Sequence, residues 1–239
     1  MPNRPWSPHW PLAIGAAALL LAAAAPDIHA DPRALLSWGA PWGTRNARSF
    51  VMPACGDTAR DDTLFLCFDP GKDTTLVGLT ATLWFRPGDN DTLGHAWHFE
   101  DKTLPRLRAF FNDLPGGPVH TPWGGAGYGG ARYHSLTQAG ALRMIWAVSA
   151  KQPARVDSGT VYLFARVAVP RPRDPAECAR PMCIQWATTG LSYTTRTTVQ
   201  AHAGALVVAW NSPNGAACQA LKQNPTQPWI PAKPKERGH

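Results

Sequence analysis

Hydrophobic and polar residues alternate along much of the chain after residue 60. Successive side chains of a β-strand point to opposite faces, so this alternation is typical of strands with one buried face. The clearest run covers residues 76–85. Its hydrophobic side carries Val77, Leu79, Ala81, Leu83 and Phe85, and its more polar side carries Gly78, Thr80, Thr82 and Trp84. We expect this run to form a half-buried strand.

Other runs predict more strands of the same kind. Residues 160–169 place on one side Val161, Leu163, Ala165, Val167 and Val169. Residues 142–148 repeat the pattern, and residues 64–68, 183–188, 191–198 and 205–210 are rich in residues that strands favour. Turns rich in Gly, Pro and Asp separate the runs. The sequence thus predicts an all-β fold, an antiparallel two-sheet β-sandwich, with jelly-roll and cohesin- or immunoglobulin-like topologies both open.

Two segments interrupt the alternation. Residues 104–114 predict one short helix, because Leu104, Leu107 and Phe111 fall on one helical face and Thr103 stands where a capping residue would. We expect this helix to lie across one end of the sandwich. Residues 116–130 are rich in glycine and predict a long loop.

The start of the chain reads as an export signal. Arg4 precedes an apolar run at residues 12–25, and the small residue Ala30 follows. The run is shorter than the roughly 20 residues that a bilayer-spanning helix needs. We predict a signal peptide at residues 1–30, an irregular leader at 31–60, a single β-sandwich domain at 61–223 and a disordered tail rich in Pro and Lys at 224–239. The protein should be secreted or periplasmic, with no membrane span in the mature chain.

The net charge of +7 belongs to the mature chain, since the predicted signal carries one cation, Arg4, and one anion, Asp27. A basic surface favours anionic partners, although it also serves ordinary solubility. Nucleic-acid-binding modules carry a recognisable motif beside their charge. No such motif is present, so we expect no nucleic-acid partner.

All five cysteines lie beyond the predicted signal. An oxidising compartment allows disulfides, and Cys178 and Cys183 flank a short turn that one bridge would close. Cys55 and Cys67 form a second candidate pair, which leaves Cys218 free or bridging two chains. The sequence does not fix the connectivity. Metal ligation is disfavoured because no C-x-x-C pair occurs.

Residues 89–100 contain acidic and histidine side chains that could suggest a metal site. Asp89, Asp91, Gly94 and Glu100 match four positions of a calcium loop, but Leu93 stands where an oxygen ligand is needed. His95 and His98 would lie on opposite faces of a strand. A polar turn that opens a strand is the favoured interpretation. No catalytic motif such as G-x-S-x-G occurs, and we predict no catalytic, metal or cofactor-binding residue.

Tryptophan is frequent, with 11 copies in the chain. Trp146 lies on the hydrophobic side of its run and should pack in the core. Trp84, on a polar side, and Trp123, in the glycine-rich segment, are candidate platforms for a ligand, because exposed Trp stacks on sugars and anchors interfaces.

These features predict a non-catalytic binding module for an envelope or extracellular polymer, such as a polysaccharide, or for an envelope protein. The chain is similar in general architecture to carbohydrate-binding or cohesin-like modules, although architecture does not fix function. Two alternatives stay open. A hydrolase acting on such a polymer would need a cleft where a His and a carboxylate meet. A structural or assembly component would self-associate, for example through Cys218.

Overall fold

The structure, a computed structural model, describes residues 32–57, 60–89, 92–194, 197–201 and 206–219, with backbone alone for 197–201. The predicted signal peptide and the predicted tail lie outside the described residues. The described residues form twelve strands: β1 Arg33–Trp38, β2 Phe50–Val51, β3 Asp61–Asp69, β4 Thr74–Pro87, β5 Arg108–Phe110, β6 Tyr128–Ser135, β7 Gly140–Ala147, β8 Ala154–Val156, β9 Tyr162–Pro170, β10 Met182–Tyr193, β11 Thr197–Ala201 and β12 Val207–Trp210.

The strands form two sheets, which confirms the predicted all-β sandwich. The smaller sheet has the order β1-β3-β9-β5. The larger has the order β2-β12-β10-β4-β7-β6, with β11 paired to β10 and β8 paired to β4. Neighbouring strands run antiparallel except β2 and β12, which are parallel. In the described part of the chain, no helix is both long and apolar enough to cross a membrane.

Strand β4 is the longest strand, and its hydrophobic side faces the core. Leu79, Ala81, Leu83 and Phe85 are all buried, as the alternation predicts. Val77 departs from the pattern and is only half-buried, whereas Leu76 is fully buried. The pairing between β4 and β10 shifts register at this end of the strand, which rotates the side chains there.

Strand β9 contains a β-bulge, and the extra residue reverses which of its side chains face the core on the N-terminal side of the bulge. Leu66 of β3 pairs with Ala165, but the next residue, Cys67, pairs with Leu163, so Phe164 is unpaired. Phe164 and Ala165 therefore both face the core between the sheets, while Leu163 turns outward beside Cys67. The expectation that residues 161–169 share one hydrophobic side is thus wrong at Val161 and Leu163, which both pack on the outer side of the smaller sheet.

The predicted helix at residues 104–114 does not form. Residues 105–107 have no regular structure, and β5 follows and pairs with the edge of β9. Leu107, Ala109 and Phe111 pack against the core at every second position, which suits a strand as well as the helical spacing did. A short isolated helix is marginal in water, and the edge of β9 offers backbone partners instead.

The α-helix that does form is α1, Pro175–Ala179. Asp174 caps it, because its carboxylate accepts the Ala176 N–H at 2.9 Å. The glycine-rich loop ends at Tyr128, where β6 begins, so the predicted loop extended too far toward the C-terminus.

Candidate functional site

The outer face of the larger sheet, turned away from the core, carries arginine, threonine, histidine and tryptophan side chains close together. Across β4, β7 and β6, the strand register aligns Trp84 with Ala141 and His134, Thr82 with Arg143 and Arg132, and Thr80 with Ile145 and Gly130. Residues paired in this way share a face. A shallow depression lined by Thr80, Thr82, Arg132, Arg143 and Ile145 runs across it.

Arg132 and Arg143 stand directly opposite each other on β6 and β7. Both are exposed. Like charges at directly opposed positions destabilise a sheet. Among the described residues, neither guanidinium has a carboxylate within 4.0 Å, whereas Arg155 lies 3.5 Å from Asp157. The sheet therefore holds two adjacent cations that no acidic group of the described structure neutralises.

Charge is segregated between the two sheets. The described strands of the larger sheet contain no Asp or Glu, but contain Arg86, Arg132, Arg143 and Arg155. Strand β3 of the smaller sheet alone carries three aspartates, and these pair with arginines, as Asp62 does with Arg171 at 2.9 Å. Burial lowers the pKa of the Arg86 guanidinium to about 10, so Arg86 stays charged at neutral pH. The charged side chains that the described strands of the larger sheet contribute are therefore all positive.

The two predicted tryptophan platforms differ. Trp84 is half-buried and lies on the outer face, where small Ala141 separates it from His134. Trp123 is only 4% exposed and packs 6.4 Å from Phe68, ring centroid to ring centroid, so it is not a surface platform. The next two residues, Gly124 and Gly125, have positive φ angles, and the Ala126 N–H donates to the Trp123 carbonyl. This tight turn reverses the chain direction and leaves the Trp123 ring packed in the core.

Sequence reasoning missed Tyr128, which is 90% exposed at the start of β6. It pairs with Ala147 and so lies on the outer face with Arg132. Tyr128, Gly130, Arg132 and His134 occupy every second position, which would have indicated a strand with these residues on one face. The surrounding glycines favoured a loop instead. From the row of Trp84 to the row of Tyr128 the face extends about 20 Å, at about 3.4 Å per strand residue.

The disulfides differ from the expected local pairs. Cys55 bridges to Cys178, and Cys183 bridges to Cys218. Cys67 is the unpaired cysteine, because β3 places it on the outer side of the smaller sheet, buried beside Leu163. The expected pairs Cys178–Cys183 and Cys55–Cys67 are therefore wrong. Cys218 is not left over to link two chains.

Around His95, the chain forms a 3₁₀ turn, His95–Trp97, rather than the start of a strand. The His95 and His98 rings lie 6.3 Å apart, and His95 Nε2 lies 3.6 Å from Asp101 Oδ2. No group of three or more metal-ligating side chains occurs among the described residues. Glu100 instead accepts the Ser135 N–H.

This turn lines a cleft of about 230 Å³ in which a His and two carboxylates meet. Asp174 caps α1. Glu177 packs against Gly94 and its Oε1 lies 4.0 Å from Arg180, whereas its Oε2 is buried without a hydrogen-bond partner among the described residues. The described residues that line the cleft include no Ser, Thr or Cys nucleophile. The cleft thus brings together a His and a carboxylate, as the hydrolase alternative requires, and one of its two carboxylates, Asp174, is engaged in capping α1.

The chain matches no protein-family model, and comparisons with curated proteins and with solved structures also give no match. Its function therefore has to be inferred from the chemistry of its surfaces.

Proposed function

We propose that the protein is a secreted or periplasmic, non-catalytic β-sandwich module that binds an acidic polysaccharide through the outer face of its larger sheet. The opposed pair Arg132 and Arg143 carries this proposal. Two adjacent cations without an acidic neighbour among the described residues are costly to the fold, and an anionic ligand between them would remove that cost.

The side chains around the arginines favour a sugar as the anion carrier. Trp84 and Tyr128 lie near the two ends of the face, and aromatic rings stack on sugars. Threonines at positions 80 and 82 offer hydroxyl groups between them. Arginine binds a carboxylate or sulfate group through two parallel hydrogen bonds. A chain of acidic sugars would use all three kinds of contact along the length of the face.

The covalent structure agrees with the proposed location. Two disulfides are present, and disulfides persist mainly in oxidising compartments. They support an exported protein, as the predicted signal peptide does.

The test is affinity electrophoresis and titration calorimetry against an acidic polysaccharide, polygalacturonate, and a neutral one, dextran. The wild-type protein should bind only the acidic polymer, and more weakly as salt rises. Arg143→Gln should weaken binding at least about tenfold, since a hydrogen bond to a charged group contributes about 1.5–3 kcal/mol. Trp84→Ala should also weaken binding, because it removes a ring that would stack on the sugar. Arg155→Gln is the matched control: it removes the same charge from the same sheet, but from an arginine beside Asp157.

Equal binding by Arg143→Gln and the wild type would contradict the proposal. So would binding lost equally in Arg155→Gln, because net charge alone would then explain it. Tighter binding to single-stranded DNA than to a panel of acidic polysaccharides would assign the face to nucleic acid instead.

A further inference from the structure

Strand β6 ends the larger sheet, and its outer edge faces a groove of about 310 Å³. The opposite wall of the groove is residues 99–109, which lead into β5 at the edge of the other sheet. The depression on the outer face described above and this groove share Ala131 and Arg132 as lining residues. The edge is nevertheless a second surface, formed by backbone groups rather than by the sheet face.

The register shows which backbone groups point into the groove. The Leu136 N–H donates to the Ala139 carbonyl at 2.7 Å, which makes this a hydrogen-bonded pair of the β6–β7 hairpin. Hydrogen-bonded and non-bonded pairs alternate in antiparallel strands. His134, Arg132 and Gly130 therefore bond to β7, while Tyr133, Ala131 and Gly129 turn their N–H and C=O groups outward.

Ser135 supports this assignment. Its N–H, which the alternation also turns outward, donates to the Glu100 carboxylate at 2.9 Å. Glu100 thus occupies the hydrogen-bond donor at the C-terminal end of the β6 edge. For the outward N–H groups of Gly129, Ala131 and Tyr133, the described residues provide no hydrogen-bond partner.

Open edges are usually protected by a proline, a bulge or an inward-pointing charge. Between Gly129 and Tyr133, β6 has no proline, and its pairing with β7 is regular. These residues leave a backbone ladder about 14 Å long, at about 3.4 Å per residue. Such a ladder can accept an added strand of about five residues.

The side chains of the groove specify the strand that would fit. Leu107, Ala109 and Tyr133 form its apolar part, and Lys102 and Arg106 line it with positive charge. Both cations are exposed. Among described residues, neither has a carboxylate within ion-pair distance. A strand with acidic and apolar side chains at alternate positions matches this arrangement.

We infer that the β6 edge binds an extended acidic peptide segment of a partner protein by β-strand addition. Main-chain hydrogen bonds to Gly129, Ala131 and Tyr133 hold the segment, and Lys102 and Arg106 select acidic side chains. A second copy of β6 is a poor occupant, because pairing two such edges would bring their cations together. The C-terminal residues 233–237 are also a poor occupant, because their basic side chains would be repelled by Lys102 and Arg106.

The test uses two fluorescein-labelled peptides of eight residues, one alternating Glu and Val and one alternating Lys and Val, with binding followed by fluorescence anisotropy. The acidic peptide should bind and the basic one should not. Ala131→Pro removes an N–H that points outward, a position where an edge strand tolerates proline. It should weaken binding at least tenfold. Ala131→Ser keeps the N–H and is the matched control.

Lys102→Glu with Arg106→Glu should reverse the preference between the two peptides. In hydrogen exchange, the acidic peptide should slow the amides of Ala131 and Tyr133 but not those of β1. Undiminished binding by Ala131→Pro, or no binding of the acidic peptide at 1 mM, would overturn the inference.

The same variants separate this inference from the proposed polysaccharide site. Arg143→Gln should bind the acidic peptide normally, and Lys102→Glu with Arg106→Glu, at two residues that line the groove but not the depression, should still bind polygalacturonate rather than dextran. Loss of polysaccharide binding in Arg143→Gln with intact peptide binding would therefore support both surfaces independently.

Discussion

The environment of a single residue, Cys67, determines the thiol chemistry of the protein. Burial raises the pKa of the Cys67 thiol to about 11, against a smaller lowering by a backbone hydrogen bond from Trp42. The reactive form is the thiolate, which burial both disfavours and shields. The other four cysteines are in disulfides. A free cysteine in this protein is therefore an inert core residue.

We expect Ellman's reagent to find no reactive thiol in the native protein at pH 8 and one thiol per chain in urea without reductant. Burial is the physical reason, and absorbance at 412 nm is the measurement. Cys67→Ala is the control and should give no reactive thiol in either state. Rapid labelling of the native wild-type protein would contradict the assignment of Cys67 as the buried cysteine.

The same thiol makes stability depend on pH. Cys67 ionises near its ordinary pKa of 9.0 when unfolded but near a pKa of about 11 when folded. Between these values the unfolded state holds fewer protons. The free energy of unfolding should therefore be constant with respect to this group below pH 9 and fall as pH rises toward 11, by about 1.4 kcal/mol per pH unit. Urea unfolding of wild type and Cys67→Ala checks this, and the variant should show the shallower fall.

At the scale of the strand pair, Arg132 and Arg143 link stability to binding. Removing one of two opposed like charges should stabilise the sheet by about 0.2–1 kcal/mol. We expect Arg143→Gln to raise the urea midpoint while weakening polysaccharide binding. Arg155→Gln, which breaks the pair with Asp157, should not raise it. A lower midpoint for Arg143→Gln would show that the two guanidinium groups do not oppose each other in solution.

Two glycines of the β6–β7 hairpin form another contrast. A Cβ at Gly140 would overlap the hydroxyl oxygen of Tyr133, which donates to the Trp97 carbonyl at 2.7 Å. Gly140→Ala should displace this ring and cost about 1–3 kcal/mol of unfolding free energy. Gly130→Ala is the control, because its Cβ would meet no atom within 4 Å. Equal effects of the two substitutions in urea unfolding would refute this explanation.

These elements also show how far sequence patterns reach. The alternation in β4 predicts its buried side from Leu79 to Phe85, because that stretch pairs regularly with β7, and the bulge on its other side places its extra residue, Ala187, in β10 rather than in β4. It fails at Phe164, where a bulge depends on the neighbouring strand and leaves no local signal. Likewise, Leu107 and Phe111 fit both a helix and a strand. Only the open edge of β9, a tertiary feature, decides between them.

For the whole molecule, the two disulfides differ in the length of chain that they constrain. Cys55 and Cys178 are separated by 123 residues, and Cys183 and Cys218 by 35. A simple chain-entropy model predicts stabilisation of about 5 and about 4 kcal/mol. We expect Cys55→Ala with Cys178→Ala to lower the free energy of urea unfolding by about 1 kcal/mol more than Cys183→Ala with Cys218→Ala. A larger loss for the second pair would contradict the entropic account.

The candidate site could not be predicted without knowing the strand order and register of the larger sheet. Composition predicts a basic protein, and the two-residue spacing places Trp84 on a polar side, which is where it lies. The opposition of Arg132 to Arg143 depends on the β6–β7 register, and the absence of acidic residues from the larger sheet depends on which strands it contains. Trp123 was predicted to be exposed because it lies in a glycine-rich loop, but the turn at the following glycines buries its ring. Neighbouring residues in the sequence do not indicate that burial.

The connection between Cys55 and Cys178 has a consequence for biosynthesis. A polypeptide leaves the ribosome from its N-terminus, so Cys55 and Cys67 emerge long before Cys178 does. In an oxidising compartment these two neighbours are the first thiols available to each other, and their bridge is the wrong one. Maturation must then exchange that bridge for the native one. During coupled translation and translocation, a disulfide isomerase should therefore accelerate formation of the Cys55–Cys178 protein far more for the wild type than for Cys67→Ala.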